Sequence, residues 1–176
     1  MITLILGGNK SGKSAFALDL MKNINGSGLL LATGRARDLG FRRQILAHRE
    51  SRDPEIPVIE VGTDLPERMI RARSEHPSVL VDSLDFWLFA CREEGLDRVP
   101  AFLEALDGWH GGNLILVSCE IGLGPLPASP EARAFVRELG GLNQKVAALA
   151  DTVHITVAGL PLTLKKAENG PLPTAR

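Results

Sequence analysis

Residues 4–14 read LILGGNKSGKS, an aliphatic run that stops abruptly and hands over to a loop with almost no side chains. Gly7, Gly8, Asn9, Lys10, Ser11, Gly12, Lys13 and Ser14 fit GxxxxGK[ST] in full. They follow a strand pattern and open a helix pattern, the context in which this spacing carries a mechanism. Successive backbone N–H groups in a glycine loop converge on an anion, and the following helix adds its positive N-terminal end. In such a loop Lys13 reaches the β- and γ-phosphates and the Ser14 hydroxyl ligates Mg2+. A glycine-rich turn that binds nothing is the alternative, and motif and context together weigh against it. The expected ligand is a nucleoside triphosphate.

The rest of the chain alternates in kind. Candidate strands are Ile2–Leu6, Leu29–Ala32, Pro57–Val61, Val79–Asp82, Leu114–Ser118, Val153–Val157 and a short one at Leu162–Leu164. Their near-continuous aliphatic character suits strands covered on both faces, as in a parallel sheet. Helix patterns lie at Lys13–Asn23, Asp38–Arg52, Leu65–Ser74, Leu84–Glu94, Pro100–Asp107 and Glu131–Ala150. Thr63 or Asp64 caps the third of these, with Pro66 in its first turn. The succession predicts an α/β domain in three layers, a P-loop NTPase of RecA-like type with a mostly parallel sheet. The segment TVHITVAGLPLTLK reads as two strands joined through Gly159–Pro161, so the sheet ends in an antiparallel edge strand at the C-terminus. Residues 1–166 make one nucleotide-binding domain, and 167–176, polar and proline-containing, make a flexible tail.

Bulk properties exclude some partners. At 176 residues one domain buries a core without staples. A net charge of -1 argues against a nucleic-acid binder, which shows a basic excess. No apolar stretch approaches the ~20 residues of a membrane span, and no secretory pattern precedes the first strand, so a cytoplasmic protein is expected. Cys91 and Cys119 sit in no metal-type spacing and read as buried free thiols.

A magnesium-side carboxylate belongs at the end of a neighbouring strand. SVLVDSLDFWL offers Asp82 directly after the apolar run and Asp85 three residues later. Asp82 is assigned to the metal side and Asp85 to the cap of the following helix. Within the same stretch Trp87 and Phe89 suit either a core or an apolar rim for a large ligand.

Three further stretches, LATGRARDLGFRRQILAHRESR (31–52), EIGLGPLP (120–127) and GGLNQKVAALADTVHITVAGLPLTLK (140–165), narrow the choice. Together with GGNKSGKS and VLVDSLDFWL they resemble the cobinamide kinase/cobinamide-phosphate guanylyltransferase family of cobalamin biosynthesis. The resemblance runs from residue 2 to about Lys165, with matching order and similar gaps. It implies two reactions: phosphorylation of the aminopropanol hydroxyl of adenosylcobinamide, then transfer of GMP from GTP to that phosphate through a guanylylated histidine. By position, His48 takes the nucleophile's place, with Arg49 and Arg52 beside it. Thr33, Glu60 and Asp82 match positions near the nucleotide. The implied cofactor is Mg2+, held by Ser14 and Asp82, and the implied substrates are a corrinoid and GTP, with ATP an alternative phosphoryl donor. The resemblance further implies a homo-oligomer, a trimer in which a neighbour helps shape each corrinoid site.

Residue chemistry is compatible with this. A neutral imidazole is a competent nucleophile toward phosphorus, and its ordinary pKa leaves much of it neutral at pH 7. Arg35, Arg37, Arg42, Arg43, Arg49 and Arg52 concentrate positive charge in one segment of a neutral protein, and guanidinium forks suit phosphate oxygens. Yet Phe41, Ile45 and His48 fall at i, i+4, i+7, so His48 equally completes an apolar helix face. His76, His110 and His154 read as bystanders, His154 on the polar face of its strand. The chain departs from the family pattern at Gly40, Gln44, Asp53, Ile56, Val136 and Arg137. Most of these surround His48 rather than Lys13, Ser14 and Asp82. Two alternatives therefore stay open: a P-loop kinase of another small alcohol or nucleoside without guanylyltransferase activity, or a nucleotide-dependent regulatory protein.

Overall fold

The computed structural model describes residues 1–25, 28–33 and 56–166. Within them the elements run β1 (Ile2–Gly7), α1 (Lys13–Asn25), β2 (Leu29–Ala32), β3 (Val58–Glu60), α2 (Leu65–Glu75), β4 (Ser78–Asp82) and α3 (Leu84–Glu93). There follow α4 (Val99–Asp107), β5 (Asn113–Cys119), α5 (Pro130–Leu149), β6 (Thr152–Val157) and β7 (Leu160–Lys165). The helix expected at Asp38–Arg52 lies outside the described residues.

The strands form one sheet in the order β3-β2-β4-β5-β1-β6-β7. Every pairing is parallel except β6 with β7. Period-two alternation sorts the aliphatics between two layers. Leu4, Leu6, Leu29, Leu31, Val79, Val81, Leu114 and Leu116 face one core, with α2, α3, α4 and α5 packed over it. Ile5, Leu30, Leu80, Ile115 and Val117 face the other, against Ala17 and Met21 of α1. This is the expected three-layer α/β arrangement with an antiparallel C-terminal edge.

Coverage on both faces does not extend to the sheet edges. All three residues of β3 are exposed, and in β7 Leu160, Leu162 and Leu164 are exposed too. An edge strand has one strand neighbour, and its aliphatics reflect β-propensity as much as burial. The hairpin turn is also one step earlier than expected. Val157 pairs with Leu160, so Ala158 (φ 52) and Gly159 (φ 80) form a two-residue turn. Pro161 lies inside β7, where an edge strand tolerates a missing N–H.

Polar pins fasten the helices to this frame. Asn143, buried in α5, accepts from Ser118 Oγ (2.6 Å) and donates to the Cys119 carbonyl (3.1 Å). Asp151 accepts from the Ile2 amide at 2.6 Å. Helix α5 begins at Ser129, whose hydroxyl accepts from the Ala132 amide, with Pro130 in its first turn. Helix α2 starts at Asp64, but that carboxylate holds the Gly62 amide and Arg68 rather than capping the helix. Arg68 accordingly keeps the Asp64 pKa below the usual carboxylate range. Trp87 is fully buried against Phe102, with ring centroids 4.9 Å apart, and belongs to the core rather than to any ligand rim. Phe89 is exposed and meets Phe135 edge-on.

Candidate active site

Because β1 to β5 are parallel, their C-terminal ends share one edge of the sheet. Gly7, Thr33, Glu60, Asp82 and Glu120 all end or immediately follow strands there. The 7–14 loop springs from the central strand β1 and returns into α1. It is shaped by close contacts. A Cβ on Gly7 would stand 2.4 Å from Ser11 Oγ and 2.7 Å from the Thr156 carbonyl. Gly12 has φ +94, and its Cβ would lie 3.0 Å from Gly159 Cα. Only glycine fits either place.

The loop is held from two sides. Glu120 donates its amide to the Gly7 carbonyl (2.9 Å), and Gly159 donates to the Ser11 carbonyl (2.8 Å). The β6–β7 turn is therefore the floor on which the loop rests. Ser11 Oγ and Thr156 Oγ1 are buried there with no hydrogen-bond partner among the described residues. Lys13 arches over the loop, its ammonium 3.1 Å from the Gly8 carbonyl. Gly8, Asn9 and Lys10 are exposed, and no atom of the described residues lies within 4 Å of a Cβ placed on Gly8. The loop thus leaves the backbone of 8–10 exposed beside a lysine, at the start of a thirteen-residue helix.

Asp82, half-buried, ends β4. Strand β5 separates β4 from β1, a lateral offset of two strand spacings, about 10 Å. Asp82 pairs with Val117 and Gly7 with Cys119, so the loop starts two residues, about 6.6 Å, further along the strands. The donors on offer, the Ser14 hydroxyl and the Asp82 carboxylate, are hard oxygens. They fit Mg2+, which keeps several waters and takes few protein ligands beside substrate phosphates.

Thr33, expected at the nucleotide, is 1% exposed. Its hydroxyl donates to the Ser83 carbonyl (2.6 Å) and accepts from the Ser83 amide (2.8 Å). Its own amide donates to the Asp82 carbonyl (3.0 Å). The Asp82–Ser83 peptide bond is cis. Asp85 is not the cap of α3. Ser83 occupies that position, while Asp85 accepts from the Cys119 amide and ties α3 to the end of β5. Glu60 is exposed at the end of β3, four strands from β1. That is about 19 Å, so Glu60 can meet only a part of a ligand remote from the loop. His48, Arg49 and Arg52 lie outside the described residues.

The sequence reading passed over Glu120. It follows an apolar strand as Asp82 does, between the loop and β4, with its carboxylate accepting from the Gly122 amide (2.9 Å). The parallel with Asp82 was the available signal. His154 faces α1 rather than a polar surface, edge-on to Phe16 with Nδ1 3.1 Å from Thr163 Oγ1. Burial pushes its pKa down. Both cysteines are buried and free, and burial raises the Cys91 thiol to about 11 and the Cys119 thiol above its ordinary value.

Residues 3–164 match the family described as cobinamide kinase / cobinamide phosphate guanyltransferase. The chain belongs to that family. Similar proteins include the bifunctional adenosylcobalamin biosynthesis protein CobP of Pseudomonas aeruginosa, 37% identical over 170 residues, covering 94% of this chain and 98% of the relative. The protein CobU of Escherichia coli, bearing the same description, is 26% identical over 182 residues, covering 94% of this chain and all of the relative. Among solved structures, the flagellar accessory protein FlaH of Methanocaldococcus jannaschii superposes with a TM-score of 0.53 at 13% identity, over 94% of this chain and 78% of that one. That likeness shows the fold. As a member of the kinase/guanyltransferase family, the chain is an enzyme using nucleotide substrates, and the 7–14 loop gives that membership a physical basis.

Proposed function

We propose that the chain phosphorylates the aminopropanol hydroxyl of adenosylcobinamide and then transfers GMP from GTP to the new phosphate. The observation that carries this is the loop itself: a glycine-shaped turn with Lys13 over it at a helix start, with Asp82 on the same sheet edge, in a chain matched to the family over residues 3–164.

In the first step the acceptor hydroxyl oxygen bonds to the γ-phosphorus, the bridge to the β-phosphate breaks, and the hydroxyl proton departs. Main-chain amides of 8–13 and the Lys13 ammonium hold the charge on the phosphates, so positioning and electrostatics supply most of the rate. Ser14 and Asp82 would hold Mg2+, which when bound neutralises charge shared by the β- and γ-phosphates. In the second step a neutral His48 nitrogen bonds to the α-phosphorus of GTP and pyrophosphate leaves. The corrinoid phosphate then takes the GMP and frees the imidazole. Arg49 and Arg52 are assigned to the phosphates. The loop at 120–129 leaves β5 at this edge with Leu123 and Leu126 about four-fifths exposed, an apolar surface suited to a corrinoid.

Incubation with GTP labelled at the α-phosphate tests the second step. Acid-labile, base-stable label on the protein is expected, absent in His48→Ala. Label that survives the substitution removes His48 from the role. Phosphoryl transfer without any label would instead favour a kinase alone, the alternative to which the departures at Gly40, Gln44 and Asp53 point.

A further inference from the structure

We propose that Thr33 is a positioning residue for the magnesium-side carboxylate and not a nucleotide ligand. The role rests on Asp82 holding Mg2+, as proposed above. A hydroxyl has one proton to donate and two lone pairs. Thr33 gives its proton to the Ser83 carbonyl and takes the Ser83 amide proton, both at short distance. At 1% exposure no ligand atom reaches the remaining lone pair.

The clamp sits one residue past the β2–β4 ladder. Ala32 pairs with Asp82, Thr33 continues with its amide to the Asp82 carbonyl, and the hydroxyl then closes on both backbone groups of Ser83. Three hydrogen bonds to one residue thus fix both polar groups of the Asp82–Ser83 peptide unit and the carbonyl of the unit that follows it. Ser83 is itself 2% exposed and opens α3, so water offers no substitute partner. The main-chain direction at Asp82, and with it the aim of its carboxylate along the sheet edge, depends on this bracket. Partners that orient a metal's carboxylate without touching the metal act through its affinity.

The measurement is binding of a non-hydrolysable GTP analogue to the full chain by calorimetry, titrated with MgCl2 and repeated in EDTA. In Thr33→Val the Mg2+ needed for half its effect is expected to rise about 10- to 100-fold, with affinity in EDTA unchanged. Thr33→Ser, which keeps the hydroxyl, is expected to retain the wild-type Mg2+ requirement. Asp82→Asn should raise it at least as far as the valine variant. An unchanged requirement in Thr33→Val beside a raised one in Asp82→Asn overturns the positioning role while Asp82 stands. An unchanged requirement in Asp82→Asn overturns the assignment of Asp82 and the bracket's purpose with it. Loss of affinity in EDTA with Thr33→Val would make Thr33 a nucleotide contact after all. Should the valine variant not fold, Thr33→Cys, with similar volume and only a weak donor, is judged by the same outcomes.

Discussion

Gly7 shows how little freedom the phosphate loop leaves a single residue. An added methyl would meet the Thr156 carbonyl at 2.7 Å, and that carbonyl belongs to a strand paired on both sides. Gly7→Ala should therefore weaken nucleotide binding at least tenfold, about 1.4 kcal/mol, by calorimetry. Binding kept within about threefold of wild type would mean that the floor does not set the fit. His154 gives a second expectation. Its folded pKa lies below the ordinary 6.5 because burial disfavours the charged ring. Below pH 6.5 the unfolded chain takes up a proton that the folded chain refuses, so stability falls as pH drops from there toward the folded value. Urea titrations at pH 7 and 5.5 should show this loss, reduced in His154→Leu. The place of the loop between β1 and α1 was legible because its spacing is local. The hydrogen bonds of Thr33 were not, since its partners are 50 residues away, and nothing in ATG announces a hydroxyl closing on another strand's turn. Asp85 misled for the converse reason: DSLD offers several capping residues in a row, and only the position of Cys119 decides which of them caps.

Elements were legible where burial wrote them. The cores of β1, β2, β4 and β5 are near-continuous aliphatic runs because both faces are covered, and α5 carries a Ser-Pro start that sequence can name. The β6–β7 turn was less so, because Ala158 in a left-handed conformation has no signature and Pro161 looked like a turn residue. That turn matters more than its place at the edge suggests. Its Gly159 amide holds the Ser11 carbonyl, so an antiparallel hairpin at the margin supports the loop at the centre. Gly159→Ala should cost about 1–2 kcal/mol for the positive φ, read by urea unfolding. It should weaken nucleotide binding as well, although residue 159 is assigned no contact with the ligand. Intact binding beside lost stability would show that the hairpin only braces the sheet.

Across the whole molecule, one of the segments that carry the family resemblance is architectural. Within GGLNQKVAALAD, Asn143 pins α5 to the end of β5, and Asp151 pins the start of β1. They act at opposite ends of the central strands, one from α5 and one from the turn that follows it, and neither is an assigned phosphate ligand. Sequence likeness there reports a shared frame, while the proposed chemistry is assigned to the loop and to residues near His48. The two can be separated by heat. A ligand that binds only the folded state adds about 2.7 kcal/mol at one hundred times its Kd, which for a chain of this size raises Tm by roughly 5–10 °C. Asn143→Ala removes its hydrogen bonds to the Ser118 hydroxyl and the Cys119 carbonyl, at about 1–3 kcal/mol for each buried group left unpaired. It should lower the starting Tm yet leave the rise with GTP and Mg2+ largely intact. Lys13→Ala, at a half-exposed position, should do the reverse: a near-normal starting Tm and a rise that is mostly lost. If Asn143→Ala also abolished the rise at saturating nucleotide, the end of β5 would belong to the binding site itself, and Glu120, which sits there against Gly7, would become the first residue to examine.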